Sequence, residues 1–138
     1  MALSNESILV SIATDTLQSS IEEVTEGTLR SLVEYNKEEF NPLYIDDVTL
    51  SFYESVDHAL THFERIHSYV NIDFAEMSLF TEELFPVSEE VRYLVTGLDQ
   101  FTVLRIYIGN EGLFIALDPD EPVKPVVDVV VESVNSTN

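Results

Sequence analysis

The sequence contains no cysteine and no tryptophan, and only two lysines and four glycines. Without cysteine there is no disulfide framework, no thiol nucleophile and no cysteine-based zinc site. The four glycines (Gly27, Gly97, Gly109, Gly112) build no phosphate-cradling loop, since neither Gly-x-Gly-x-x-Gly nor a P-loop occurs. Serines are plentiful, yet no Gly-x-Ser-x-Gly marks a nucleophile elbow. No apolar run approaches the roughly 18 residues of a membrane span. The opening Met1-Ala2-Leu3-Ser4-Asn5-Glu6 lacks the basic start of a signal peptide, so a cytoplasmic chain without a membrane anchor is expected. Basic charge is also scarce. Six Lys+Arg face 26 Asp+Glu, a net charge of −20 on 138 residues. Such a chain has no basic footprint with which to displace counterions from a nucleic-acid backbone, and direct nucleic-acid binding is not expected.

What is present argues for a folded domain. Hydrophobic residues make up 45% and mean hydropathy is +0.08, too apolar for the disordered class despite the charge. The length suggests one domain, residues 1–138, with a frayed tail at 135–138. Acidic residues run from Glu6 to Glu132 instead of forming a tail. No Asp-x-Asp loop carries a glycine at the offset that calcium sites use. Adaptation to concentrated salt and mimicry of DNA remain. Lysine favours the first: Lys37 and Lys124 stand against Arg30, Arg65, Arg92 and Arg105, a bias of the whole surface and not of one acidic face. In molar salt the Debye length is about 3 Å, so carboxylate repulsion costs little while hydration keeps the chain soluble.

Periodicity sets out the elements. Ser4 or Asn5 is expected to cap a first helix carrying Ile8, Ile12, Leu17, Ile21 and Val24 and ending before Gly27. Thr28–Tyr35 reads as a strand with Leu29, Val33 and Tyr35 on one face and Arg30, Leu32 and Glu34 on the other. Residues 40–46 return as its hairpin partner, with Pro42 demoting that strand toward an edge. A helix over 54–70 carries the stripe Val56, Leu60, Phe63, Ile66 and Val70. A second helical piece, 74–85, stops at Pro86, its acidic first turn (Asp73, Glu76) suiting the helix dipole. Strands follow at 91–98, 101–108 and 113–117, with Gly109-Asn110-Glu111-Gly112 as a hairpin turn. Val123, Val126, Val127, Val130 and Val134 fall at helical spacing, although valine also suits a strand; periodicity and the early prolines favour a last helix.

The order α-ββ-α(α)-βββ-α implies an α+β domain, a five-stranded, mainly antiparallel sheet flanked by helices. It resembles the roadblock and longin group of profilin-like folds, whose members are small signalling and scaffolding domains that dimerise. Two segments also resemble a haloarchaeal domain family with no assigned activity. One is Leu29-Arg30-Ser31-Leu32-Val33-Glu34-Tyr35-Asn36-Lys37-Glu38-Glu39-Phe40 followed by Leu43-Tyr44-Ile45-Asp46-Asp47-Val48, similar to that family's opening hairpin. The other is Gly112–Pro119, which closes on Leu-Asp-Pro as the family's last strand does. The resemblance spans about residues 24–131 and implies a salt-adapted protein without supplying catalytic residues. Asn41-Pro42 departs from the pattern, which puts the register of the second strand in question.

Three constellations are candidates for chemistry. Glu54, His58 and His62 recur at i, i+4, i+8 and form one helix stripe able to give a metal three ligands, hence a metal-binding or hydrolytic alternative. The stripe lacks the internal glutamate of His-Glu-x-x-His, and an exposed helix face is the competing explanation. His67 is offset toward the core, where a hydrogen-bonded structural role is expected. Asp46-Asp47 is a carboxylate pair at a strand end that could do acid/base or cation work, or simply close the strand. Phe52, Tyr53, Tyr93 and Tyr107 form an interface if they project from an open sheet face, and otherwise cover the core. The expectation is a non-enzymatic protein-interaction or regulatory module, with homodimerisation as what the resemblance in topology implies. It has no dedicated cofactor beyond weak divalent or potassium binding at surface carboxylates.

Overall fold

A computed structural model describes residues 2–9, 14–26 and 28–137. Its elements are β1 (Leu3–Ser4), α1 (Thr14–Thr25), β2 (Leu29–Tyr35), β3 (Phe40–Ile45), α2 (Asp47–Leu50), α3 (Val56–Val70), α4 (Asp73–Ser78), β4 (Tyr93–Gly97), β5 (Thr102–Ile108), β6 (Glu111–Leu117) and α5 (Lys124–Thr137). All pairings are antiparallel, and the six strands run in the order β1-β3-β2-β6-β5-β4. The α+β expectation holds, with a sixth strand added at the N-terminus.

Helices cover both faces of the sheet. On one, Leu17 and Ile21 of α1 and Val126, Val127 and Val130 of α5 meet Leu32, Leu104, Leu113, Ile115 and Leu117. On the other, Phe63 of α3 and Phe74 of α4 meet Val33, Tyr35, Val103, Tyr107 and Phe114. Central β6 therefore alternates between two apolar layers, which is why its sequence reads as an unbroken apolar run. Its fully buried leucines and isoleucine each contribute about 1.5–3 kcal/mol. The valine-rich last segment is helical because its 3.6-residue periodicity fits this face, which outweighs valine's weak helix propensity.

Several expectations are corrected. Ser4 and Asn5 do not cap a helix. Leu3–Ser4 pairs with β3, residues 5–9 run on without helix, and the helix begins at Thr14; Ile12 lies outside the described residues. In β2, Leu29 shares its face with Leu32 and not with Val33 and Tyr35. A register shift between Leu29 and Ser31 against β6 resets the alternation there. The register in question at Asn41-Pro42 is resolved as a second irregularity. Leu32 pairs with Tyr44 and Val33 with Pro42, so Leu43 is an extra residue beside a proline that has no N–H to give. The single helix expected over 74–85 is α4 followed by a π-helical turn, Leu79–Leu84, closed by Phe85 N–H donating to Phe80 O at 2.7 Å. Short α2 adds to the elements that periodicity predicts; the Asp46 side chain caps it by accepting from Thr49 N–H at 2.8 Å.

Candidate functional site

Ser55 caps α3, accepting from His58 N–H at 3.1 Å, and so fixes where the histidine stripe begins. His58 Nδ1 accepts from Glu54 N–H at 3.1 Å, which places the proton of a neutral ring on Nε2. His62 Nδ1 lies 2.5 Å from the Tyr53 hydroxyl, and the Tyr53 ring stands edge-on to His58 and tilted against His62. The ring nitrogens nearest the helix are thus engaged by Tyr53 and the backbone. Among the described residues no group of three His, Asp or Glu side chains is arranged to hold a metal ion. His67 is half-buried, its Nε2 2.8 Å from Asn36 O and its ring against Tyr35 and Phe40. Asp46 is buried and committed to structure, as the α2 cap and as a partner of Arg30 at 3.0 Å. Arg30 also reaches Asp118 at 2.5 Å, and the bond to Asp46, more than any other contact, raises its pKa.

A buried polar cluster lies where α4 meets the sheet. Tyr107 is 7% exposed, so it does not project as an interface residue. Its hydroxyl donates to Asp73 Oδ2 and sits 2.5 Å from that of Tyr35. Burial, above all, pushes both phenols well above the ordinary tyrosine range. Gly112 lies opposite both tyrosines, and a Cβ there would come 2.7 Å from the Tyr35 ring. Its absence of side chain serves this close approach, whereas among the described glycines only Gly109, in the turn, has positive φ. Arg105 joins the cluster to the sheet edge: Nε donates to Asp73 at 3.0 Å and a terminal nitrogen donates to Thr96 Oγ1 at 2.6 Å. Desolvation works against the Arg105 charge, but Asp73 outweighs it and raises its pKa. The expected helix-dipole role of Asp73 thus gives way to a buried ion pair that docks α4 and braces β4.

That braced strand is the exposed edge of the sheet. Arg92 O accepts from Tyr107 N–H and Leu98 N–H donates to Phe101 O, each at 3.0 Å. Antiparallel alternation then turns the N–H and C=O groups of Arg92, Leu94, Thr96 and Leu98 toward β5, and those of Tyr93, Val95 and Gly97 outward. Tyr93 and Val95 lie opposite Ile106 and Leu104, on the face that α5 covers farther in, but remain 39% and 45% exposed. Leu98 and Phe101, in the turn after β4, are exposed as well. None of the 26 acidic residues falls between Val91 and Leu98. Of the four interface candidates, Tyr93 lies on this edge. Phe52 is exposed near α3, 77% accessible, and Tyr53 is occupied by the histidines.

Over 87% of this chain and 89% of the other, the fold matches Myxococcus xanthus MglB with a TM-score of 0.57 at 9% identity. It also matches a roadblock/LC7 domain from Streptomyces avermitilis, with a TM-score of 0.54 at 10% identity over 83% and 88% of the two chains. The fold is that of the roadblock/LC7 domains. The chain itself belongs to the family described as Domain of unknown function (DUF7522), matched over residues 15–136. A search of curated proteins finds no match. Among the described residues no helix is long and apolar enough to cross a membrane.

Proposed function

We propose that this chain is a non-enzymatic protein-interaction module adapted to concentrated salt, and that it pairs with a second copy of itself along β4. The observation that carries the proposal is the bare edge. Globular proteins guard edge strands with charges, prolines or covering segments; Tyr93–Gly97 carries neither charge nor proline, and among the described residues no segment pairs with its outer side. Two bodies of −20 each repel wherever their carboxylates face one another, and an acid-free strand is a place where they can approach. Antiparallel pairing of β4 with its copy joins the outward groups of Tyr93, Val95 and Gly97 and lays Tyr93 and Val95 beside their counterparts. The dimerising role suggested by the roadblock-like topology supports the same choice of partner.

Light scattering in about 2 M KCl tests this, with repulsion screened to a few ångströms. The wild-type chain should show twice its 15.6 kDa mass. Val95→Pro removes an outward donor without touching the β5 ladder, and Val95→Glu sets like charges side by side. Both variants should return the mass to one chain with unchanged circular dichroism. A wild-type chain that stays at 15.6 kDa at every concentration overturns the proposal.

A further inference from the structure

A sheet has two edges, and the sequence protects neither with charge. β3, Phe-Asn-Pro-Leu-Tyr-Ile, is as free of acidic residues as β4. The two edges differ in what lies against them. Among the described residues β4 has no strand on its outer side, whereas β3 is covered by residues 3–6 of the same chain. Leu3 and Ser4 pair with Ile45 and Tyr44, and Asn5 N–H then donates to Leu43 O at 3.1 Å. The Asn5 amide donates to Pro42 O at 2.8 Å, and the Asn41 amide donates to Glu6 O at 2.9 Å. Two strand residues would be a weak cover alone, but the segment is anchored beyond them. Glu34 on β2, 0% exposed, accepts from Ser7 Oγ at 2.8 Å, Ile8 N–H at 2.9 Å and Leu9 N–H at 2.7 Å. A buried carboxylate with such bonds holds the segment far more firmly than an exposed pair would.

We infer that residues 3–9 form a strap whose function is to blank the β3 edge, so that sheet-edge association stops at two copies. The inference rests on the β4 pairing proposed above. Pairing of β4 with β4 is isologous and closes on itself, but it leaves the β3 side of the sheet at each end, where the strap is the one cover over β3 among the described residues. Were those edges open, each could take another β4 or β3, and growth would continue without closure. The strap occupies the outward carbonyl of Leu43, and Asn5 also takes that of Pro42. With those positions filled from within the chain, β4 is left as the docking edge for a second copy.

Deletion of residues 2–6 tests the strap while leaving Ser7, Ile8 and Leu9 on Glu34, so the buried carboxylate keeps those partners. Asn5→Pro without the deletion is the second variant; it removes both Asn5 donors at an exposed position. By light scattering in about 2 M KCl, wild type should hold at two chains across concentration. Both strap variants should grow past two chains as concentration rises, and adding Val95→Pro should stop that growth. Folded strap variants that stay at two chains beside a two-chain wild type overturn the strap and spare the β4 proposal. A wild type that never exceeds one chain overturns the β4 proposal and the strap with it.

Discussion

Glu34 shows how one buried carboxylate can order a segment. Burial disfavours its charge, but the bonds from Ile8, Leu9, Ser7 and Asn41 outweigh that and hold its pKa below the ordinary glutamate value. A depressed folded-state pKa contributes stability that is fully present above the unfolded value, near 4.3, and withdrawn as pH falls through the lower folded value. Glu34→Gln keeps the shape but loses the charge, and its amide nitrogen opposes backbone donors. It should cost about 1.5–3 kcal/mol at pH 7 by denaturant unfolding. The deficit should shrink in the acid range below about pH 4, where wild type loses the same charge. A variant as stable as wild type at pH 7 would show that Glu34 does not anchor the strap. In sequence, Glu34 was legible only as the polar partner in an alternating strand. Three of its donors, Ser7, Ile8 and Leu9, lie 25 to 27 residues away, in a segment whose spacing imitates a helix.

Among the elements, those with a strong period were legible and those defined by long-range polar contacts were not. Helices α3 and α5 and strands β2 to β6 follow from spacing, because each buries a face that repeats at its own period. The π-helical turn, the two β2 irregularities and the Asp73–Arg105 pair depend on which surfaces meet in space. The candidate edge was half legible. Tyr93 stood out as an aromatic, but only the strand order makes β4 an edge. The end of α1 offers a local test. Glu26 follows the helix at φ 52°, a left-handed conformation that glycine adopts without steric cost. Its negative charge also faces the negative end of the helix dipole. Glu26→Gly should therefore stabilise the fold by about 0.5–1 kcal/mol, read as a rise in melting temperature in a calorimeter. A fall would mean that the Glu26 side chain makes a contribution larger than the strain.

At the scale of the whole molecule, the decisive quantity is the imbalance of 26 acidic against six basic residues. At least four of the six bases are already used in ion pairs: Arg30, Arg92, Arg105 and Lys124. The Arg92 and Lys124 pairs are exposed and contribute little. The remaining carboxylates repel one another over a Debye length that grows from about 3 Å at 1 M salt to about 10 Å at 0.1 M. A domain stable by roughly 5–15 kcal/mol has little reserve against that repulsion. Structure should therefore be lost below about 1 M KCl, followed by far-ultraviolet circular dichroism as salt is diluted. Pairing brings two such charges together, so dissociation should precede unfolding on the same dilution, and light scattering should fall first. Val95→Pro, already a single chain, should show only the later transition. A chain that keeps its full structure in about 0.1 M salt would contradict salt adaptation and shift the meaning of −20 toward an acidic mimic of nucleic acid.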